Sequence, residues 1–274
     1  MKARRGRMPS KTEKHAAPAG SKEKSSVPAV EKALDVLEAL AGSPLGLTMN
    51  EIVETLGRTM GEIYRVVIYL AERDYIEQDP DSGRYSLSMR LFELSHRHEP
   101  TERLVRNAIP LLERIAFQTE QSCHLGIVNR SNVLVLASVR SPRPASYGVR
   151  TGGMFPAVKT STGNVILAFS GKETQRRYIS RLAVDEKAGL RERFDVICRK
   201  GYEDWPSEMV HGVRNLCVPV FDKRGIVAAL TIGFIDQSTP PMTAEESLEM
   251  LCAVGEELTH SLGGVPLSVT DVAG

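Results

Sequence analysis

The sequence predicts an α+β protein with two folded regions joined by a connecting helix, and three observations carry this prediction. Two capping boxes, each a threonine followed three residues later by a glutamate, begin at Thr48 and Thr59 and open two short helices. After residue 120, paired aliphatic runs around turn-forming tetrapeptides alternate with amphipathic helical patterns. A length of 274 residues favours two cores over one, because hydrophobic cores tend to divide near this size.

The first region combines three helical patterns with a β-hairpin pattern. A helix over 30–41 precedes the helix that Thr48 caps, and Gly57 stops that second helix before the third one opens. Strand-forming residues on both sides of the turn 79–83 then predict the hairpin. A helix, a glycine turn, a helix and a hairpin make a winged helix-turn-helix, which lays its second helix in the major groove of DNA. An ordinary helical hairpin covered by a β-ribbon is the alternative.

Several side chains of this unit are candidates for DNA contact. Tyr64 and Arg65 flank the apolar face of the second helix, and Arg84 is expected near the tip of the wing, within reach of a phosphate. Glu62 has two interpretations: it turns back to its own cap, which we favour, or it accepts from a cytosine amino group. The predicted DNA-binding residues are Arg58, Thr59, Met60, Gly61, Glu62, Tyr64, Arg65 and Arg84.

Composition limits the class of protein. Residues 1–27 are basic and lack a periodic apolar face, so we expect a disordered tail that either attracts phosphates or is merely solvated. No apolar segment is long enough to cross a bilayer, and no secretory signal follows the basic start, so we expect a cytoplasmic protein without a membrane partner.

The four separated cysteines indicate reduced, mostly buried thiols. The run 96–99 does not match H-E-x-x-H spacing, and we expect no metal and no cofactor.

The second region mixes helices and hairpin-joined strands. A helix begins at Thr101, and Pro110 within it predicts a kink or a break. Its predicted strands are 124–128, 133–137, 216–221 and 226–235, and its later helices are one that opens at 160–163, 172–181, 187–200 and one capped by Thr243. This order predicts an α+β domain with a largely antiparallel sheet.

The chain resembles the IclR-type bacterial transcription regulators over residues 27–263. The resemblance rests on Ile63-Tyr64-Arg65, the hydroxyl-rich segment before Gly163, Lys200-Gly201-Tyr202, and Gly212-Val213-Arg214 running into Val218-Pro219-Val220. It implies an effector-binding domain, and homodimers or dimers of dimers on double-stranded operator DNA. The resulting boundaries are 1–27 for the tail, 28–88 for the winged helix-turn-helix, 89–100 for the connecting helix, 101–264 for effector binding and oligomerisation, and 265–274 for a flexible tail.

The same resemblance implies a pocket for a small-molecule effector. Carried across position by position, it consists of Met154, Phe155, Thr160, Ser161, Thr162, Gly163, Asp204, Asn215, Cys217, Thr231 and Gly233. Free amides at the helix that opens at Ser161 suit a carboxylate, so we expect an acidic or aromatic metabolite. Several of these residues are equally interpretable as plain core or cap residues. Asn164 stands where relatives carry a lysine, so their effectors cannot be carried over.

Other classes of function are less consistent with the residues. Ser161 lacks the G-x-S-x-G context of a nucleophile, and Cys123 and His124 are strand neighbours whose side chains point opposite ways. No phosphate-binding loop or dinucleotide fingerprint is present, so we expect no enzyme. A winged-helix adaptor that binds a protein and no small molecule is the alternative. We expect a repressor rather than an activator.

Overall fold

The computed structural model describes residues 27–96, 99–180, 182 and 184–267. The tail predicted over residues 1–27 lies outside these residues except for Val27, and most of the predicted C-terminal tail also lies outside them. The chain divides into two compact units, Met1–Ser95 and His96–Gly274. Within the described part, no helix is both long enough and apolar enough to span a membrane.

The first unit is a helix-turn-helix followed by a two-stranded wing. Its elements are α1 (Pro28–Ala41), α2 (Met49–Leu56), α3 (Met60–Glu72), β1 (Ile76–Gln78), β2 (Tyr85–Leu87) and α4 (Arg90–His96). The two strands pair antiparallel, with Gln78 opposite Tyr85. One core holds the unit together: Val36 and Leu40 of α1 pack with the buried sides of α2 and α3 and with Tyr85 of the wing.

The predicted caps set the boundaries of α2 and α3. The Thr48 amide donates to the Glu51 carboxylate at 2.7 Å, and the Glu51 amide donates to the Thr48 hydroxyl at 3.3 Å. Gly57 ends α2 with φ 59°, a left-handed conformation that glycine adopts without a steric penalty. The Glu62 carboxylate accepts from the Thr59 amide at 3.0 Å in the same manner. The helix-turn-helix geometry is therefore fixed by local hydrogen bonds as well as by the core.

The second unit is built around one six-stranded sheet. Its helices are α5 (Glu99–Thr119), α6 (Ser161–Ala168), α7 (Lys172–Ile179), α8 (Val184–Lys200) and α9 (Ala244–Ser261). Its strands are β3 (Ser122–Asn129), β4 (Asn132–Val139), β5 (Met154–Pro156), β6 (Glu203–Pro206), β7 (Val213–Asp222) and β8 (Gly225–Ile235). A short 3-10 turn, Ala157–Lys159, joins β5 to α6.

All neighbouring strands of the sheet are antiparallel, in the order β5-β4-β3-β8-β7-β6. The α+β class and the antiparallel sheet are therefore confirmed. The edge strands β5 and β6 had not been predicted, because three or four residues are too few for a periodic signal. Of the kink or break predicted at Pro110, the break is wrong, since α5 continues through that residue.

Helices cover both faces of this sheet. On one face, α5 and α9 pack against side chains such as Leu125, Leu216 and Leu230. On the other face, α6 and α8 pack against Val133, Cys217 and Ala229. Every residue of α6 is buried, so this helix and its polar first turn lie inside the protein.

Gly163 allows α6 to approach the turn that precedes it. A β-carbon at this position would lie 2.0 Å from the carbonyl oxygen of Ala157, a distance that no relaxed structure accommodates. The contact is with backbone, so the neighbour cannot rotate away. Gly189, on the exposed side of α8, has no atom within 4 Å of the equivalent position.

We expect Gly163→Ala to lower the free energy of unfolding by about 1–3 kcal/mol or more, because the new methyl group overpacks the junction of α6 and the 3-10 turn. Gly189→Ala is the matched control and should raise it by roughly 0.5–1 kcal/mol, since alanine restricts the unfolded chain and favours helix. Urea unfolding followed by circular dichroism measures both. Equal stability of the two variants would contradict the packing described for Gly163.

Candidate functional site

Helix α3 presents one buried face and one exposed face. Ile63, Val67 and Leu70 are buried in the core of the first unit. The exposed face carries Met60, Gly61, Tyr64, Arg65 and Tyr69. These side chains are exposed and mostly neutral, as suits a helix that enters a DNA groove.

Arg65 differs from the other basic residues near α3. It is exposed, and within the described part of the chain no acidic side chain forms an ion pair with it. Gly61, one turn earlier on the same face, has no atom within 4 Å of where a β-carbon would stand. The surface around Arg65 is therefore open to close approach by a partner.

Glu62 turns back to its own cap, as in the interpretation that we favoured. Its carboxylate accepts from the Thr59 amide and the Thr59 hydroxyl, and it pairs with the Lys32 ammonium at 3.1 Å. The hydrogen bond from the Thr59 amide, followed by the one from Lys32, lowers the pKa of Glu62 to about 2. The charge is thus satisfied within the unit, and no cytosine contact is needed to explain this residue.

Two of the arginines predicted to contact DNA are held by acids of their own unit. Arg58 pairs with Asp35 at 3.1 Å. Arg84, expected near the wing tip, turns away from it: its guanidinium donates twice to the Glu51 carboxylate, at 2.9 and 3.1 Å, and to the Gly46 carbonyl at 2.9 Å. A forked guanidinium matches a carboxylate in this bidentate way, so Arg84 joins the wing to α2.

A small cavity lies at the N-terminus of α6, between this helix and the strands β3, β7 and β8. Its volume is about 50 Å³, whereas pockets for small molecules have volumes of roughly 300–1,000 Å³. Its walls are formed by His124, Val133, Tyr147, Val149, Phe155, Lys159, Thr160, Ser161, Thr162, Ser207, Met209, Asn215 and Thr231. The cavity is too small for a metabolite and must enlarge to hold one.

A chain of hydrogen bonds crosses the floor of this cavity. The Thr162 hydroxyl contacts His124 Nε2 at 3.1 Å and the Thr231 hydroxyl at 2.9 Å. Thr231 in turn donates to the sulfur of Cys217 at 3.1 Å. Burial lowers the pKa of His124 to about 4, so the imidazole is neutral at neutral pH. The floor therefore carries hydrogen-bonding groups without a net charge.

The first turn of α6 leaves polar groups unsatisfied at the cavity. The Thr160 hydroxyl accepts from the Gly163 amide at 3.1 Å, which leaves the amides of Ser161 and Thr162 without an intrahelical acceptor. Among the described residues, no hydrogen-bond partner is found for the Ser161 hydroxyl, which lines the cavity, or for the two polar side-chain atoms of Asn164, which is fully buried in the same helix but does not line the cavity. Buried polar groups nearly always have one, so an ordered water or a ligand is the expected partner.

The structure brings together six of the eleven residues predicted for the effector pocket. Phe155, Thr160, Ser161, Thr162, Asn215 and Thr231 all line the cavity. Gly233 lies beside it, in a neighbouring cavity of about 30 Å³. The remaining four, which do not line either cavity, are Met154, Gly163, Asp204 and Cys217.

Each of these four has another structural role. Met154 alternates with Phe155 on β5, so its side chain lies on the other side of the strand and is 64% exposed. Gly163 packs against the backbone of Ala157, and Cys217 is buried in the core beneath Thr231. Asp204 forms a bidentate ion pair with Arg214. The apolar wall is supplied instead by residues such as Val133 and Val149.

The sequence could have indicated His124 but not Tyr147. Because side chains alternate along β3, Cys123 and His124 point to opposite faces of the sheet. The Cys123 sulfur donates to the Leu112 carbonyl of α5, so His124 faces α6. Tyr147 lies in a coil between β4 and β5, where no periodicity predicts direction. Its position depends on tertiary packing alone.

A larger cleft of about 610 Å³ runs along α8 and β6. Arg193 dominates it: the guanidinium pairs with the buried Glu203 at 2.6 Å and lies 4.6 Å from the centre of the Trp205 ring. These contacts hold α8 against the edge strand β6. They give the charges of Arg193 and Glu203 a structural explanation. Asp204 contributes to the wall of this cleft rather than to the small cavity.

No metal or catalytic constellation is found among the described residues. No three histidine, cysteine or acidic side chains within that part of the chain could together hold a metal ion. Two residues of the run 96–99 lie outside it. All four cysteines are free thiols, and burial raises the pKa of Cys123 to about 12, so this thiol is not a nucleophile at neutral pH.

Two family models match the chain, one for each unit. The model of the IclR helix-turn-helix domain matches residues 29–80. The model described as bacterial transcriptional regulator IclR C-terminal matches residues 100–260. The two models describe DNA-binding transcriptional regulators, and neither is a catalytic family.

Named relatives and solved structures extend this likeness over most of the chain. The glycerol operon regulatory protein of Streptomyces griseus is 26% identical over 245 residues, which cover 87% of this chain and 92% of that protein. The regulator KdgR of Dickeya chrysanthemi is 25% identical, with 88% and 82% covered. An IclR homologue from Microbacterium hydrocarbonoxydans, solved with 4-hydroxybenzoate, shares the fold with a TM-score of 0.73 at 23% identity, and the match covers 85% of this chain and 98% of that one.

The depressed pKa of His124 predicts a dependence of stability on pH. Its value in the folded protein, about 4, lies below the ordinary 6.5, so between these values the unfolded chain binds more protons than the folded one. The stability contributed by neutral His124 should be complete above pH 6.5 and fall as the pH drops towards 4.

Urea unfolding at pH 4.5, 5.5 and 7 should therefore show a smaller pH dependence in His124→Gln, which keeps a hydrogen-bonding side chain and cannot titrate. His260→Gln, at an exposed position of α9, is the control and should behave as the parent. If His124→Gln retains the full loss of stability between pH 6.5 and 4.5, the imidazole is not the group responsible.

Proposed function

The chain belongs to the IclR family of bacterial transcription regulators, and we propose that it is a repressor whose operator binding is modulated by a small organic acid or aromatic metabolite. Its helix-turn-helix domain binds DNA, and its C-terminal domain is the effector-binding domain of the family. The observation that carries the DNA part of the proposal is the exposed, unpaired Arg65 on the open face of α3.

Arg65 is proposed to read a base edge in the major groove. A guanidinium donates two hydrogen bonds to the O6 and N7 acceptors of guanine, and it is available for this only if no acid holds it. Gly61 permits close approach of the helix backbone, and Tyr64 and Met60 provide apolar contact with the groove. Thr59 and Glu62, engaged with each other, fix the start of the helix rather than contacting a base.

Arg58 and Arg84 are proposed as supporting residues. Each side chain is partly exposed, so each can contact a phosphate while staying near its acid. Their ion pairs with Asp35 and Glu51 hold α1 to the turn and the wing to α2, which fixes the position of α3. Loss of either arginine should affect placement of the recognition helix more than discrimination between bases.

The proposed effector site is the cavity at the mouth of α6. Two amides of the first turn, the positive end of a helix and the Thr160–Thr162 hydroxyls suit a carboxylate or a phenolic oxygen. Phe155, Val133 and Val149 provide an apolar wall for the body of the ligand. The aromatic acid bound by the Microbacterium relative supports this class of ligand.

The small volume of the cavity limits how a ligand could act on DNA binding. A metabolite larger than about 50 Å³ binds only if the walls move apart, so it must favour a different form of the domain. Repression is proposed on the assumption that the form with the small cavity binds the operator, so that the ligand releases DNA. Linkage limits this effect to the difference in affinity for the two forms, typically about 1–3 kcal/mol.

A dimer is proposed because one recognition helix covers only half of a typical operator. Val27, Val30 and Leu34 form an exposed apolar stripe along α1, at spacings that place them on one side of the helix. Met89 and Phe92 are exposed at the start of α4. Apolar side chains repeated on two helices of the same unit suit contact with a second copy.

We expect Arg65→Ala to weaken operator binding by ~1–3 kcal/mol and to relax sequence preference, because one bidentate base contact is lost. Fluorescence anisotropy with operator and scrambled duplexes at one salt concentration measures both effects. Arg73→Ala, at the other end of α3, is the matched control and should change neither. Unchanged operator affinity in Arg65→Ala, or in the triple Arg58, Arg65 and Arg84 variant, would leave the adaptor that binds a protein as the better assignment.

The assembly prediction concerns α1 and α4. We expect a dimer in light scattering at micromolar concentration, and footprints of two half-sites separated by one DNA turn, ~34 Å, or a multiple of it. Leu34→Glu combined with Phe92→Glu should reduce cooperative operator binding, since charges are introduced on the apolar stripe. A monomer with undiminished operator affinity would contradict the proposal.

The effector prediction concerns Ser161 and Asn215, which reach the cavity from α6 and β7. Ser161→Leu and Asn215→Leu should abolish the stabilisation by organic acids and phenols that a thermal-shift screen detects, because each leucine fills the cavity and removes a polar group. Operator binding without ligand should remain. The control is Met154→Leu, an exposed position outside the cavity. If hits from the screen stabilise both cavity variants as well as the parent, the effector binds elsewhere.

A further inference from the structure

Tyr147 is a wall residue of the proposed effector site. It lies in the coil that connects β4 to β5, residues 140–153, and its side chain borders two small cavities. These cavities, of about 50 and 30 Å³, share four wall residues: His124, Tyr147, Val149 and Asn215. The two cavities are therefore neighbours, and Tyr147 is one of the residues that border both.

The ring is packed but not anchored by hydrogen bonds. On β8, Gly233 lies under it, at a place where a β-carbon would be 3.4 Å from Tyr147 Cδ1. No hydrogen bond from the Tyr147 hydroxyl is found among the described residues, although burial raises the pKa of this group. A side chain held only by packing, on a coil, moves at lower cost than one held by a polar network.

The wall of the same cavity contains a buried polar group without a partner. The Ser161 hydroxyl lies in this wall, and no hydrogen-bond partner for it is found among the described residues. A ligand that satisfies such groups gains more than one that meets groups already paired, because an orphaned buried group is costly. Tyr147 thus places a ring in the wall of the proposed site, and the unpartnered Ser161 hydroxyl lies in the same wall.

We propose that Tyr147 is an internal stand-in for the effector: a planar, single-ring ligand displaces the tyrosine ring, joins the two cavities and directs its polar group towards Ser161 at the mouth of α6. This inference rests on the proposed effector site and adds the residue that the ligand replaces. Ligands without a ring would leave the space vacated by tyrosine unfilled, so they bind more weakly. Tyr147 thereby favours ligands that contain a ring, and its displacement sets the free-energy cost of opening the site.

The test uses 4-methylphenol, which reproduces the tyrosine side chain, and the full-length protein. Tyr147→Ala leaves a space of that shape, so calorimetry should show 4-methylphenol binding at least roughly tenfold more tightly than to the parent, where the ring competes for the site. Tyr202→Ala is the matched control: it borders the larger cleft and should bind like the parent. A folded Tyr147→Ala variant that gains no affinity overturns the inference, as does a comparable gain in Tyr202→Ala.

A second measurement does not depend on the stability of the alanine variant. The parent, labelled with 3-fluorotyrosine, contains seven tyrosines, and Tyr147→Phe identifies the fluorine resonance of Tyr147. A saturating aromatic acid such as 4-hydroxybenzoate should shift that resonance towards the position of a solvent-exposed tyrosine. A bound ligand that leaves it unchanged, or failure of this ligand to bind at millimolar concentration, overturns the inference.

The experiments distinguish a failure of the Tyr147 inference from a failure of the proposed effector site. Binding of 4-methylphenol to Tyr147→Ala reports only on the space under the ring, and it does not require any response of the operator complex. If 4-methylphenol binds as expected but the Ser161 and Asn215 variants retain their response to metabolites, a ring can occupy the space of Tyr147 but the effector binds elsewhere, which overturns the stand-in together with the effector site.

Discussion

The second unit depends on the burial of a helix whose first turn is polar. Helix α6 lies against the sheet with all eight residues buried, and Gly163 brings it into contact with the turn before it. Water cannot reach the hydroxyls and amides of that turn freely, so they must find partners within the protein. Thr162 finds His124 and Thr231, whereas Ser161 does not. The candidate site is the place where this requirement is incompletely met.

Strand register decides which side chains face the first turn of α6. Because side chains alternate along β3, Cys123 enters the α5 layer while His124 faces α6, and antiparallel pairing sets His124 beside Thr231. The next pair, Thr231 with Cys217, continues the polar line across β8 to β7. A shift of one residue would place apolar core side chains at the mouth of α6, so the core and the site share the same register.

Local chemistry could be predicted from the sequence, and long-range partners could not. Capping boxes at Thr48 and Thr243, and the glycine stop at Gly57, act within a few residues and were anticipated correctly. The partner of Arg84, by contrast, is Glu51, more than thirty residues away, and nothing near either residue indicates the pair. Tyr147 was missed for the same reason. Six cavity residues were identified through family resemblance, which carries information on tertiary proximity that periodicity lacks.

The ion pairs of the first unit have a consequence for how the protein searches a chromosome. Lys32, Arg58 and Arg84 each hold a carboxylate of their own unit, so among the described residues on and beside α3 the positive charge without an acidic partner is that of Arg65 and Arg73. Affinity for arbitrary sequence comes mainly from the counterions that free cations displace from phosphates. A surface whose cations are mostly paired with acids of the protein releases few counterions when it binds DNA. From this surface, retention on non-operator DNA would be weak and insensitive to salt, and occupancy would depend on contacts with the bases.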